Sequence, residues 1–102
     1  MESRLSLQTK LETVLGSRNV YFQPPETVKL NYPAIIYNLS DIEAQYADNK
    51  AYAAHKRYTV TYIHKDPDVD LFTDMMTIFA WCSFDRRFVT DNLYHDVYSL
   101  YY

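Results

Sequence analysis

Cys82-Ser83-Phe84-Asp85-Arg86-Arg87-Phe88-Val89-Thr90-Asp91-Asn92-Leu93-Tyr94-His95-Asp96-Val97-Tyr98-Ser99-Leu100-Tyr101-Tyr102 is the stretch on which the fold turns. Phe84, Arg86 and Phe88 alternate with Asp85, Arg87 and Val89, the two-residue period of a strand. Thr90-Asp91-Asn92 breaks that period with turn residues, and a Tyr-rich run follows. Two such runs about a short turn predict a C-terminal hairpin. Four tyrosines fall in the last nine residues with no polar tail after them. That strand is therefore expected to be held against its own sheet or against a neighbouring subunit.

Outward from the hairpin, Asp70 stands where it can cap a helix whose apolar stripe is Leu71, Phe72, Met75, Ile78, Phe79 and Trp81. The Met75-Met76 pair reads as core filling. Lys65-Asp66-Pro67-Asp68 is a turn sequence. Before it, the run from His55 to His64 puts Tyr58, Val60 and Tyr62 on one face and Arg57, Thr59, Thr61 and Ile63 on the other, which predicts a strand. From Ser40 to Ala54 the pattern is lost among polar residues, and the expectation is a long connection of the kind that tends to be functional. Tyr32 to Leu39 is a nearly continuous apolar run, expected to be the core strand, covered on both faces. Asn19 to Gln23 is a short edge strand cut off by Pro24-Pro25. Leu7, Leu11, Val14 and Leu15 predict a first helix over 2–15, with Ser3 to cap it and Gly16 to end it. The sum is one α+β domain spanning 1–102, a mostly antiparallel sheet with two helices packed on one face.

Composition narrows the function classes. With 102 residues there is room for one core, and 11 Tyr with 5 Phe are high enough to suggest interfaces as well as interior. The single Cys82 cannot form an internal disulfide, so a reduced cytosol is the default compartment. No run approaches the roughly 18 apolar residues of a membrane span, and Met1-Glu2-Ser3-Arg4 lacks the apolar run of a secretory signal. Residues 1–65 carry 8 Lys and Arg against 6 Asp and Glu, whereas 66–102 carry 2 against 7. An acidic half argues against tight binding to phosphate backbones.

Catalytic and metal motifs are weak. His55, His64, Cys82 and His95 show none of the close pairings of zinc sites. His95 and Asp96, as strand neighbours, point to opposite faces and cannot orient one another. Cys82 after Trp81 reads as a small apolar residue at a helix end. One Gly in the chain rules out a Gly-rich phosphate loop. Asp66, Asp68 and Asp70 lack the Gly and Glu of a calcium loop. No cofactor and no enzyme activity are expected, because no nucleophile, base and orienter can be placed together. Of the Arg86-Arg87 doublet, whose side chains part to the two faces, one is a candidate to pair with a carboxylate across an interface.

The order of elements and several strings resemble a known family. Tyr21-Phe22-Gln23-Pro24-Pro25, Tyr32-Pro33-Ala34-Ile35-Ile36-Tyr37, Asn49-Lys50 before Lys56-Arg57-Tyr58, Asp66-Pro67-Asp68, and above all Cys82-Ser83-Phe84-Asp85-Arg86-Arg87-Phe88 through Asp91-Asn92-Leu93-Tyr94-His95-Asp96-Val97-Tyr98 resemble small neck proteins of long-tailed bacteriophages. These are the tail terminator, tail completion or minor capsid proteins. The resemblance implies a tail-terminator-like fold and a ring, commonly a hexamer, that caps the tail tube, ends tube polymerisation and joins the tail to the head connector. Its partners would be further copies of itself, the tail tube protein and the connector or stopper protein. DNA would pass through the lumen without specific binding, and the protein, made in the host cytoplasm, would reside in the virion at the head-tail interface. A head-completion or stopper protein on the head side of the joint is the alternative within the same particle, and a small non-viral protein-binding module the alternative outside it. Under the ring reading, Arg86, Phe88, Tyr94, Tyr98, Tyr101 and Tyr102 are expected at a subunit or partner interface. Asp41, Glu43, Tyr46, Asp48, Asn49 and Lys50 are expected on a lumen- or tube-facing loop, where negative charge would keep DNA from sticking.

Overall fold

Leu7 and Leu11, one helical turn apart, are fully buried and set α1 (Arg4–Leu15) down on a sheet. The computed structural model describes residues 4–24, 29–47, 50–68, 71–79 and 81–102, so the proposed Ser3 and Asp70 caps lie outside the described residues. Gly16 ends α1 at a φ of +75°, its N–H donating to the Glu12 carbonyl at 2.9 Å. A side chain would strain that backbone. Gln8 fastens the helix from its middle: its Nε2 donates to the Val20 carbonyl at 2.9 Å, and its Oε1 accepts from the Tyr37 hydroxyl.

The five strands are β1 (Val20–Phe22), β2 (Ala34–Ala47), β3 (Lys50–His64), β4 (Trp81–Thr90) and β5 (Leu93–Tyr101). Their order across the sheet is β1-β2-β3-β5-β4; only β1 with β2 is parallel. The fold class is α+β, with the second helix, α2 (Phe72–Ile78), on the same face as α1. Leu7, Leu11, Leu71, Met75 and Phe79 meet Ile35, Tyr37, Tyr58, Val60, Tyr98 and Leu100 in one core.

Four readings of the sequence are corrected. The stretch 40–54 is not a long connection: β2 and β3 run on through it in register, Asp41 opposite Arg57 and Ala47 opposite Lys50. Because β1 pairs only with 35–37 and β5 reaches β3 only from Arg57 onward, 41–47 and 50–56 form a two-stranded arm beyond the body of the sheet. Polar residues interrupt the two-residue apolar period there, so the strand signal disappears although the ladder continues. Secondly, β2 is covered on both faces only at its start, where Ala34 and Ile35 are buried; further along, Asn38 and Leu39 are exposed. Thirdly, α2 stops at Ile78, where Phe79 is already extended, and Trp81 begins β4 instead of completing a helical stripe; Met76, 56% exposed, is not core. Lastly, Phe84, Arg86 and Phe88 do not share a face. A bulge at Asp85 separates Phe84, opposite Tyr98, from Arg86, opposite Val97. One extra residue turns the rest of the strand over.

The hairpin that opened the reading stands as expected. Asp91 and Asn92, at φ of 52° and 61°, make the left-handed two-residue turn that matches strand twist.

Candidate functional site

β4 is an edge strand, and nearly all of it is solvent-exposed. Trp81 is 71% exposed and Val89 60%, and Phe84 and Phe88 are also open. A ten-residue edge with this much apolar surface is a pairing or docking surface unless something covers it. Phe88 stacks on His95 at 4.8 Å on the helix-free face, and the Arg86 guanidinium lies 5.7 Å from the Phe88 ring. Arg86 and Phe88 thus form one exposed aromatic-cationic surface.

The four tyrosines of the proposed interface do not join them as a single patch. Tyr98 is 1% exposed and packs between Phe72 and Phe84, so it belongs to the core and not to a surface. Tyr102 is half-buried: its hydroxyl meets the Ser6 hydroxyl at 2.6 Å, its N–H donates to the Lys56 carbonyl, and its ring lies edge-on to Phe79. The chain therefore holds its last strand against its own sheet and helix. Tyr101, opposite Trp81 in the ladder, is half-buried on the helix-free face, whereas Tyr94 lies on the helix face beside His64. Among the arm residues, Asp41 is exposed on β2, and the backbone register places Glu43, Tyr46 and Lys50 on the arm. Asp48 and Asn49 lie outside the described residues.

A polar cluster that the sequence reading did not assemble lies at the other end of the sheet. Asp96 is 1% exposed, and its carboxylate accepts from His64 Nε2 at 2.8 Å and from Arg87 at 2.5 Å through Nε and 3.0 Å through Nη2. Arg87 Nη1 also donates to the Pro67 carbonyl at 2.8 Å, tying the β3–α2 turn to the sheet. Burial alone would push the Asp96 carboxyl up, but the hydrogen bonds from Arg87 and His64 outweigh it and hold it below the usual carboxylate value of 3.8. Arg87 is raised in turn, chiefly by its hydrogen bond to Asp96. His64 is stacked between Tyr62, at 4.6 Å, and Tyr94, at 5.6 Å.

Among the described residues, His64 Nδ1 is the one buried side-chain polar atom without a hydrogen-bond partner. His64 also lines an open hollow of about 500 Å³ together with Pro33, Tyr62, Lys65, Asp66 and Pro67. Those walls hold no Ser, Thr or Cys to act as a nucleophile, and no group of three metal-ligating side chains occurs among the described residues. Cys82 is half-buried on β4, not at a helix end, and burial followed by the Asp85 charge pushes its thiol up to about 11.

Half of the cluster was legible. A two-residue turn at 91–92 fixes Thr90 opposite Leu93 and hence, by counting, Arg87 opposite Asp96. His64 joins only through the β3–β5 pairing, which spans α2 and leaves no local mark. No protein-family model matches this chain, and no curated protein matches it.

Proposed function

We propose that this chain is a structural protein of a phage neck, a tail terminator that forms a ring, commonly a hexamer, on the last ring of the tail tube. The ring ends tube polymerisation and offers its other face to the head connector. The observation that carries the reading is that the two ends of the sheet are unlike. One end bears the projecting β2–β3 arm and Trp81; the other bears the hollow walled by His64. Ring closure is a head-to-tail contact and needs two different, complementary patches on each subunit. The exposed apolar edge of β4 supplies further contact area, and the acidic balance of 66–102 suits a lumen through which DNA slides without binding. The terminal hairpin string supports the assignment to a phage neck.

The test is negative-stain microscopy of particles from a lysate in which this gene carries an early stop codon. Overlong tubes detached from filled heads are expected. Tails of normal length beside separate heads would move the protein to the head side of the joint, as a completion or stopper protein. Intact particles would overturn both assignments.

A further inference from the structure

We infer that β4 pairs with a second copy of itself: two chains join edge to edge, antiparallel, about a two-fold axis between Asp85 and Arg86, and one sheet continues across the contact. This contact is independent of the ring reading above. β4 has no strand neighbour on its outer side among the described residues. Residues 81–90 also include neither Pro nor Lys, which commonly blunt such an edge.

The bulge selects the register. Cys82, Phe84, Arg87 and Val89 lie on the helix face, opposite Leu100, Tyr98, Asp96 and Tyr94. Trp81, Ser83, Arg86, Phe88 and Thr90 lie on the helix-free face. Asp85 joins them there, since its carboxylate accepts from the Ser99 hydroxyl at 2.7 Å. Two consecutive residues, Asp85 and Arg86, therefore share a face. Residues directly opposite in an antiparallel pair share a face as well. Over the whole of β4 that holds for one self-pairing alone. It sets Trp81 opposite Thr90 of the second copy, Cys82 opposite Val89, Ser83 opposite Phe88, Phe84 opposite Arg87 and Asp85 opposite Arg86. Any other antiparallel register that runs through the bulge sets at least one helix-face residue against a helix-free one.

Chemistry agrees with that register. At its centre each Asp85 carboxylate faces the Arg86 guanidinium of the other copy, so an opposite-charge pair forms on either side of the axis. Both residues are exposed in the single chain. Trp81, Phe84, Phe88 and Val89 are exposed large apolar side chains, and each gains an apolar neighbour diagonal to its direct partner. Trp81 meets Phe88 on the helix-free face, and Phe84 meets Val89 on the helix face. Opposite charges at the centre and apolar flanks on both faces make the strand complementary to itself, as an isologous contact requires. A ring subunit that uses this edge must first release it, so the dimer is the form of the free chain.

Sedimentation equilibrium of the full chain over a wide concentration range reads the contact, and two sets of variants test its register. A concentration-dependent dimer is expected. Arg86→Asp leaves only carboxylates around the axis and should weaken the dimer about thirtyfold, whereas Asp85→Arg/Arg86→Asp restores opposite pairs and should bind within about threefold of the wild type. In a Cys82→Ala background, Ser83→Cys/Phe88→Cys should form a covalent dimer on mild oxidation. The two positions face each other across the axis but lie too far apart along one strand to bridge. A chain that is monomeric at every concentration would overturn the contact. So would a dimer that Arg86→Asp leaves as tight as the wild type, a charge swap no tighter than Arg86→Asp, or paired cysteines that fail to cross-link the dimer. None of these results bears on the terminator reading, which the stop-codon particles decide separately.

Discussion

β4 and β5 are partners in one hairpin, of ten and nine residues, yet they have opposite fates. On β5, Asp96, Val97, Tyr98 and Leu100 are buried; on β4, every residue but Cys82 is exposed. The cause is position in the sheet and not composition. β5 lies between β3 and β4 and under the helices, whereas β4 has a neighbour on one side only. Aromatic residues thus have two surroundings within twenty residues: Tyr98 is packed in the core, and Trp81 and Phe88 stay exposed.

The sharpest way to break this contrast is to truncate one aromatic on each strand. Tyr98→Ala removes a ring packed against Phe72 and Phe84 and should cost about 3–5 kcal/mol in urea unfolding. Trp81→Ala should change monomer stability by no more than about 0.5 kcal/mol. Similar losses at both positions would mean that β4 is part of the core after all.

The buried end of the contrast is polar as well as aromatic. Asp96→Ala leaves His64 and Arg87 without their shared carboxylate and should cost about 3 kcal/mol, at the low end for a buried pair because the Arg87 side chain is 33% exposed. Its pH dependence has a definite sign. The folded carboxyl titrates below the unfolded one, so the unfolded chain binds more protons in the acid range and stability rises with pH there. The contribution is fully present above the usual carboxylate value of 3.8 and is lost as the pH falls through the lower folded value. Arg87→Met should flatten that acid limb in urea midpoints measured against pH. An unchanged limb would show that Arg87 does not set the ionisation of Asp96.

A third contrast lies between neighbours on β4. Trp81 is open to solvent, but Cys82, beside it, has its thiol pushed up to about 11 by burial and then by Asp85. At pH 8 the folded protein should react with a thiol reagent about a hundredfold more slowly than the unfolded chain. Equal rates would show that the helix-facing side of β4 opens as readily as its outer side.

These strands also mark how far the sequence could be read. The terminal hairpin, Gly16 and the Tyr58-Val60-Tyr62 alternation were legible because each is a local rule: a turn dipeptide, a left-handed cap, a period of two. The arm was not, because residues 41–47 and 50–56 carry no apolar alternation, and strand pairing alone leaves no mark in hydrophobicity. The bulge at Asp85 was not either, and without it Phe84 was assigned the same face as Arg86 and Phe88. At the candidate site, the interface assignment of Arg86 and Phe88 placed two exposed residues, whereas Tyr98 was assigned from its residue type although its burial depends on helices elsewhere in the chain.

The Arg86-Arg87 doublet holds the smallest effect and tests the contrast most finely, since one peptide bond separates the two surroundings. Arg87 is committed to Asp96 and to the Pro67 carbonyl, whereas Arg86 lies over the exposed Phe88 ring. An exposed cation–π contact contributes about 0.5–1 kcal/mol at most, and solvent replaces much of it when the side chain is shortened. Arg86→Gln should therefore shift the urea midpoint of the monomer by less than about 0.5 kcal/mol, well below the cost of Arg87→Gln. If Arg86→Gln cost as much as Arg87→Gln, its guanidinium would already be spent within the monomer, and the outer face of β4 would lose the one cation that suits it to a partner.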